Sequence, residues 1–584
     1  MSWNVDKTHS ATKFVLSSSG LLDNVPPTIC LTTPLWRSIH GLKIDVFIVF
    51  LQRRTDEMLG LFRQTVVLST KRIPRRAPRK PTYDGTGKLQ STDSYLLAAR
   101  VKELSQKKKF NEAYAVVQNE SRGNGLANVV VWNQLLQESR MNQKPSDTYK
   151  LFMEMKKRGI TPNSRSYTIV FRALSGVDKE RPTKKVIEAA ETIFRQFGIY
   201  QQSLDDEIDR NLVEEERSVL PINAYLSILS KVAHSKDMMD VFEDMADIGP
   251  SSADTYTYTT LFQGLLKAGQ REDVERGLTL WKVYMDRLKD AWKHSKDTPE
   301  CQRLLPDTAL ISTVLRLLSK GTPKDCKTGL MIAHIFLGVP SHSPFIEKKE
   351  LNIPKVELND RIIDSLYHLG LAAERPSLVI RHADFLLAMD SVKKYISTRS
   401  MFFALLACAQ EGNSDKAIEY LHMMCTELRR AQPDSQSFDQ AMSAAMKARS
   451  YKHAKEIYEM AISTKTEVDI RIMSSFIKAA LSTGNTGHIF DAMEIFSKYG
   501  ITRFIKSEDK EQSRTTNKHQ RFWEHRLATG LRDALDKLKT QNVPGRTRKH
   551  DLLFGEYARV IAGIIGEKKV VNSRNTYDEW DIDL

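Results

Sequence analysis

The side chains best equipped for chemistry in this 584-residue chain are small, neutral and polar, and they recur at fixed spacing. Asn133, Thr168, Asn223 and Thr259 each follow a large apolar residue: Trp132, Tyr167, Ile222 and Tyr258. Amides and hydroxyls donate and accept hydrogen bonds, but they exchange no proton near neutral pH. Their chemistry is recognition. Short polar arms on one face of a repeating scaffold suit a ligand that itself repeats, and some helical repeats read one base each.

The scaffold must therefore repeat. Asn128 and Asn163 close successive stretches 35 residues apart, and the second ends Gly159-Ile-Thr-Pro-Asn163. Four anchors define a unit: a large apolar residue at position 4, a small polar one at position 5, an apolar one at position 11 and often Lys at position 13. Unit starts then fall near 94, 129, 164, 219, 255, 308, 356, 398, 435 and 470. Tyr225–Lys231, Leu261–Lys267 and Val314–Lys320 superpose as first helices, with apolar residues at three- and four-residue steps. Second helices follow, as in Thr148–Met155, Val274–Trp281 and Ala454–Met460. Gly stops a helix, Pro blocks its continuation, and Asn or Asp caps the next one. The expected fold class is all-α: a right-handed helical-hairpin solenoid of about ten units over 94–504, each packed on its neighbours. Trp132, Tyr167 and Tyr258 are expected in its core. Three stretches interrupt the period: an acidic one at 199–218, expected as a solvated excursion, a Lys/Trp-containing one at 287–305 and a Pro-rich one at 339–355. After 504 the period is lost. Residues 518–540 and 550–566 read as two further helices capping the array, followed by the acidic tail Asp578–Leu584.

The net charge of +15 suggests a polyanionic partner. Its distribution tempers this, because the stretch 81–504 carries only about +4. Residues 58–80 hold seven Lys/Arg and no acid. This Arg-rich, hydroxyl-bearing run resembles a mitochondrial presequence. The expectation is a presequence and linker over 58–90, a start at Met58, and 1–57 as a disordered stretch or gene-model extension. The alternative is a basic arm. The apolar run 44–51 is too short to span a bilayer and contains Asp45, so no membrane partner is expected. The five cysteines form no CxxC and no metal-ligand spacing. Buried or idle thiols, no metal and no cofactor follow.

The unit pattern resembles the pentatricopeptide repeat family, P-type, and more loosely its fungal mitochondrial members involved in RNA processing and ribosome maturation. The tetratricopeptide repeat, with a 34-residue period, is the nearest rival. The 35-residue steps, the aromatic at position 4 and the Pro-Asn/Asp closures favour the former. The resemblance implies single-stranded RNA binding, with position 5 and the last residue of each unit reading one base and position 2 sandwiching it. Carried over, the pairs are Asn133 with Asn163, Thr168 with Ser218, Asn223 with Asp254, and Thr259 with Asp307. By the family's code they imply a pyrimidine, adenine, uracil and guanine. Val130, Arg165 and Tyr256 are the implied sandwich residues. Ser312 with Lys355, Asp439 with Asp469, and Ser474 are weaker matches. Ala98 and Phe402 lack a hydrogen-bonding group, and Asp360 departs from the usual residue types. Asn163, Asp254 and Asp307 serve equally well as helix N-caps.

A second RNA surface is expected in the basic segment after 504, where Arg521 and Arg526 interleave with aromatics and Arg546, Arg548 and Lys549 cluster. The alternative there is a solvated loop and a helix burying Phe522 and Trp523. No catalytic constellation is present: no phosphate-binding loop, GxSxG, HExxH or deaminase signature. A non-catalytic mitochondrial RNA-binding factor follows. Its partners would be an rRNA precursor, an intron or a messenger, and the ribosomal small subunit. The alternative is a ribosomal scaffold or protein-binding adaptor.

Overall fold

The computed structural model describes residues 13–16, 29–32, 94–122, 127–142, 145–176, 182–205, 216–294, 296, 298–340, 353–505, 518–540 and 546–566. The 58–90 segment and the acidic tail lie outside them. The chain divides into two units, 1–96 and 97–584. In the first, β1 (Lys13–Leu16) pairs antiparallel with β2 (Ile29–Thr32), Lys13 opposite Thr32. No strand was expected there. The short runs Phe14-Val15 and Ile29-Cys30-Leu31 carry the aromatic and β-branched residues that a pleated ribbon favours.

The second unit is built of helical hairpins. In chain order these are α1 (Ser94–Gln106) with α2 (Phe110–Arg122), α3 (Val129–Met141) with α4 (Pro145–Lys157), and α5 (Ser164–Ser175) with α6 (Lys184–Asp205). Next come α7 (Leu220–Val232) with α8 (Ser235–Glu243), then α9 (Thr255–Ala268) with α10 (Arg271–His294) and the short α11 (Pro299–Leu304). The middle holds α12 (Thr308–Leu318) with α13 (Pro323–Leu337), and α14 (Asp360–Ala372) with α15 (Pro376–Leu387) and α16 (Asp390–Lys393). Then follow α17 (Thr398–Glu411) with α18 (Ser414–Thr426), α19 (Ser435–Lys447) with α20 (Tyr451–Ser463), and α21 (Ile470–Ser482) with α22 (Thr486–Ser497). Last come α23 (Lys518–Thr540) and α24 (Arg548–Gly566).

From α3 onward, each first helix packs on the next first helix and on its own partner. Local chemistry fixes the starts. Asn128, Asn163, Asp254, Asp307, Asn359, Ser397, Asp434 and Asp469 are N-caps whose side chains accept first-turn amides. At Asn163, Asp254 and Ser397 the bond is reciprocated by a position-3 hydroxyl, closing a capping box. Gly269 and Gly412 end their helices at φ 67° and 76°, in the left-handed region where glycine costs least. Trp132, Tyr258 and Phe438 are fully buried, so the aromatic at position 4 is packing, not ligand surface.

Position 13 has a structural job. Lys231 Nζ donates to the Ser175 carbonyl, Lys267 to the Lys231 carbonyl, and Lys447 to the Gln410 carbonyl. Lys320 Nζ reaches the Leu266 carbonyl at 3.3 Å. Each lysine ties its helix to the open carbonyl end of the preceding first helix, where the macrodipole favours a cation.

Candidate nucleic-acid interface

The position-5 side chains are held from the next unit. Asn223 Nδ2 donates to Asp254 Oδ1 at 3.1 Å, while Thr257 Oγ1 donates to Asn223 Oδ1 at 2.6 Å. Asp254 Oδ1 also accepts the Thr257 amide at 2.8 Å. The same triad recurs one unit pair earlier. Asn133 Nδ2 donates to Asn163 Oδ1 at 3.0 Å and Ser166 Oγ to Asn133 Oδ1 at 2.6 Å. These two pairs are therefore brought together, and both Asn side chains are almost wholly buried. Cap and position-5 partner are one structure, so the N-cap reading and the pairing hold at once. At Asn223 the second amide hydrogen stays open, and so does Asp254 Oδ2, since the bonds to this carboxylate end on Oδ1. A donor beside an acceptor complements one edge of a base.

A cleft of about 350 Å³ opens at this pair, lined by Arg140, Arg172, Leu220, Asn223, Lys231, Asp254 and Tyr256 among others. Leu220 and Tyr256, the position-2 residues of adjoining units, are 48% and 58% exposed. Exposed apolar faces beside a donor–acceptor pair suit a flat heterocycle, and the arginines suit its phosphates. Sequence reasoning named Tyr256 but missed Leu220, Arg140 and Arg172. Counting position 2 in the unit at 219 would have found Leu220. The arginines lie on earlier units, and only folding brings them here.

The other implied pairs are not joined by hydrogen bonds. Thr168 and Thr259 donate their hydroxyls to Ser164 and Thr255 carbonyls at 2.8 Å, leaving each oxygen as an acceptor. Ser218 Oγ accepts the Leu220 amide at 3.3 Å, and Asp307 caps α12 through the Leu310 amide at 2.7 Å. Ser312 bonds the Ala309 carbonyl at 3.2 Å, whereas Lys355 Nζ turns to the Ile335 carbonyl at 2.8 Å. Asp439 accepts from Ser475 Oγ at 2.7 Å, and burial pushes its carboxyl above the ordinary range. Asp469 is engaged by Arg471 Nε at 2.8 Å and by Ser435. Ser474 is buried and its hydroxyl has no partner. Val130 is half-buried and Arg165 exposed.

Two expectations are corrected. The unit placed at 356 starts at 360, because Asn359 caps α14 and 353–358 is extended, with the Val356 amide on the Phe336 carbonyl at 2.8 Å. Position 5 is therefore Asp364, not Asp360. Ser400 Oγ donates to Asp364 Oδ1 at 2.6 Å, the bond that Ser166 and Thr257 make to Asn133 and Asn223. Burial raises the Asp364 carboxyl, and Ser400, Arg399 and Ser397 pull it back. In the acidic stretch expected to be solvated, Glu216 is instead bonded at the site. Glu216 accepts from Asn163 Nδ2 at 3.1 Å, from the Ser164 amide at 3.0 Å and from Tyr200 at 2.9 Å. A buried-edge amide end and a tyrosine hold the carboxylate there, so Asn163 spends a donor on protein.

In the basic segment, Arg546 is structural. Its Nη1 donates to the Leu538 carbonyl at 2.5 Å and its Nε to Asp551 at 2.6 Å, joining α23 to α24. Arg548 and Lys549 are exposed on the first turn of α24, and Arg521 is half-buried. Arg526 lies over the Trp523 ring at 4.9 Å. Trp523 is buried but Phe522 is 52% exposed. Mid-array, burial lowers the Arg316 pKa, and repulsion from Arg399 and Arg361 lowers it further. Cations crowd one another there. Among the described residues no group of three or more His, Cys, Asp or Glu could hold a metal, and no helix is long and apolar enough to cross a membrane.

No curated protein sequence matches the chain. Among solved structures, the pentatricopeptide repeat protein PPR10 from maize aligns at 13% identity and TM-score 0.31, over 81% of this chain and 65% of its own. The chain thus spans under two thirds of that protein. PPR10 in complex with an 18-nt psaJ RNA element aligns at 13% identity and TM-score 0.26, over 80% and 70%. Yeast Rmd9p in complex with 16nt target RNA aligns at 10% and 0.29, over 82% and 91%. Residues 127–176, which span α3 to α5 and the Asn133–Asn163 pair, match the PPR repeat family. The same triad recurs at Asn223, so the chain carries the pentatricopeptide repeat match over 127–176 and repeats its pairing geometry one stretch further on.

Proposed function

We propose that the array grips single-stranded RNA along the row of position-5 and position-2 side chains and acts by occupancy, without chemistry of its own. The observation that carries this reading is the cleft at Asn223: an open donor and acceptor at its floor, exposed Leu220 and Tyr256 beside them, and Arg140 and Arg172 at its rim. A base stacks on such faces, its edge meets the amide–carboxylate pair, and its phosphates meet the guanidinium groups. The acid-free, Arg-rich stretch 58–80 supports a mitochondrial setting. There the protein would act in RNA processing, maturation or stability: 5′ processing of a small-subunit rRNA precursor, intron splicing or messenger handling.

One observation favours a second reading for part of the array. Glu216 occupies the Asn163 amide and the start of α5, so a protein partner is the better occupant of that junction. The test is binding of the purified protein to a random-sequence single-stranded RNA pool, with duplex RNA as competitor. Single strands should bind preferentially, and Tyr256→Ala should weaken binding about tenfold. Equal binding to duplex, or no effect of Tyr256→Ala, would move the function to protein scaffolding.

A further inference from the structure

Helices α23 and α24 follow the stretch 506–517 and show no repeat signature in sequence. Their contacts do. Lys537 Nζ on α23 reaches the Leu481 carbonyl of α21 at 3.4 Å, the tie that the position-13 lysines make to the helix before. Setting Lys537 at position 13 places His525 at position 1, Arg526 at position 2 and Thr529 at position 5. Thr529 Oγ1 then donates to the His525 carbonyl at 2.8 Å, as Thr168 and Thr259 do to their position-1 carbonyls. Leu527, Leu531, Ala534, Leu535 and Leu538 form the buried stripe of a first helix. Gly530, at position 6, faces α21, where an added Cβ would meet Lys478 Cγ at an ordinary contact distance of 3.7 Å. Helix α24 packs back on α23 as a second helix.

The cleft at Asn223 is framed by position 9 of the preceding unit (Arg172) and by positions 2, 5 and 13 of its own (Leu220, Asn223, Lys231). The same positions here are Lys478, Arg526, Thr529 and Lys537. Arg526 Nε is buried without a hydrogen-bond partner, and so is the Ser474 hydroxyl of α21, whose residue is 1% exposed. Lys478 makes no ion pair among the described residues. We infer that α23 and α24 are an eleventh repeat unit whose Lys478, Arg526 and Thr529 bind one further nucleotide of single-stranded RNA at this end of the array. Its elements are the phosphate-seeking cations Lys478 and Arg526 and the hydroxyl oxygen of Thr529, open as an acceptor. Burial, then the charge of Arg526, pushes the Lys478 ammonium down to about 8, and Asp533 pulls it back. A phosphate between the two cations would relieve that repulsion. The inference rests on the reading of the Asn223 cleft as a nucleotide site.

The test uses the full-length protein and a random-sequence single-stranded RNA pool, trimmed by a single-strand nuclease while bound. Arg526→Ala with Lys478→Ala should shorten the protected fragment by one nucleotide and weaken binding about tenfold. Thr529→Val, which keeps the side-chain shape, should weaken it about threefold with unchanged melting, and serves if the double variant unfolds. Unchanged length and affinity in these variants, while Tyr256→Ala still weakens binding, would overturn the eleventh unit alone. No protection of RNA by the wild type would overturn both readings.

Discussion

In the proposed function Asn223 serves both packing and recognition. Its carbonyl is taken by Thr257 and one amide hydrogen by Asp254, so only one hydrogen faces the cleft. Asn223→Ala should lower RNA affinity about tenfold, since one base loses its hydrogen-bonded partner. The same change removes the hydrogen bonds that tie this side chain to Asp254 and Thr257 and should destabilise the fold by about 1–2 kcal/mol, read as a lowered urea midpoint. A pH effect belongs to this scale too. His382 is 1% exposed, its Nε2 lies 2.9 Å from the Pro340 carbonyl, and burial pushes its pKa down to about 4. The folded state keeps this ring neutral while the unfolded chain protonates near its ordinary 6.5. Stability from this group is therefore complete above about 6.5 and drains as pH falls towards about 4. Melting temperatures should fall across that window in wild type, and His382→Gln should flatten the fall.

Among the elements, the lysine ties and the close helix approaches set the spacing of the cleft. Lys231→Met removes the cation from the α5 carbonyl end and should cost about 0.5–1 kcal/mol, with a larger fractional loss of RNA binding than of stability, because Lys231 also lines the cleft. Gly277 lets α10 pack on α12: an added Cβ would lie 2.5 Å from Leu317 Cδ2. Gly277→Ala should destabilise by about 1–3 kcal/mol through overpacking, measured by denaturant unfolding. Most first helices were legible because Asn or Asp stands at the N-cap and an apolar residue stands four positions on. The start at 360 was misread because Val356 and Leu358 mimic a helical stripe while lying in an extended segment that pairs with α13. The α23 unit was missed for a different reason. Ala528 replaces the large residue at position 4, no Asn or Asp precedes His525, and the stretch 506–517 breaks the period. Position-5 residues could be read from spacing. Their partners Ser166, Thr257 and Ser400 could not, because each comes from the following unit.

At the scale of the whole molecule, binding strength must come from local cations and not from net field, since the stretch 81–504 carries only about +4. Arg140, Arg172, Arg316, Arg361 and Arg399 supply them in groups. Log affinity for single-stranded RNA should fall linearly with log salt, and Arg172→Ala should reduce that slope by about 0.7, the contribution of one phosphate contact. The proposed function requires that RNA lies on the position-2 and position-5 row of the first helices. Ultraviolet crosslinking of the bound single-stranded RNA pool, followed by identification of the crosslinked peptides, reads this out. Adducts on the peptides carrying Leu220 and Tyr256, lost when Asn223→Ala is used, are the predicted result. Adducts confined to second helices such as α8, α10 and α20, or none at all, would contradict it.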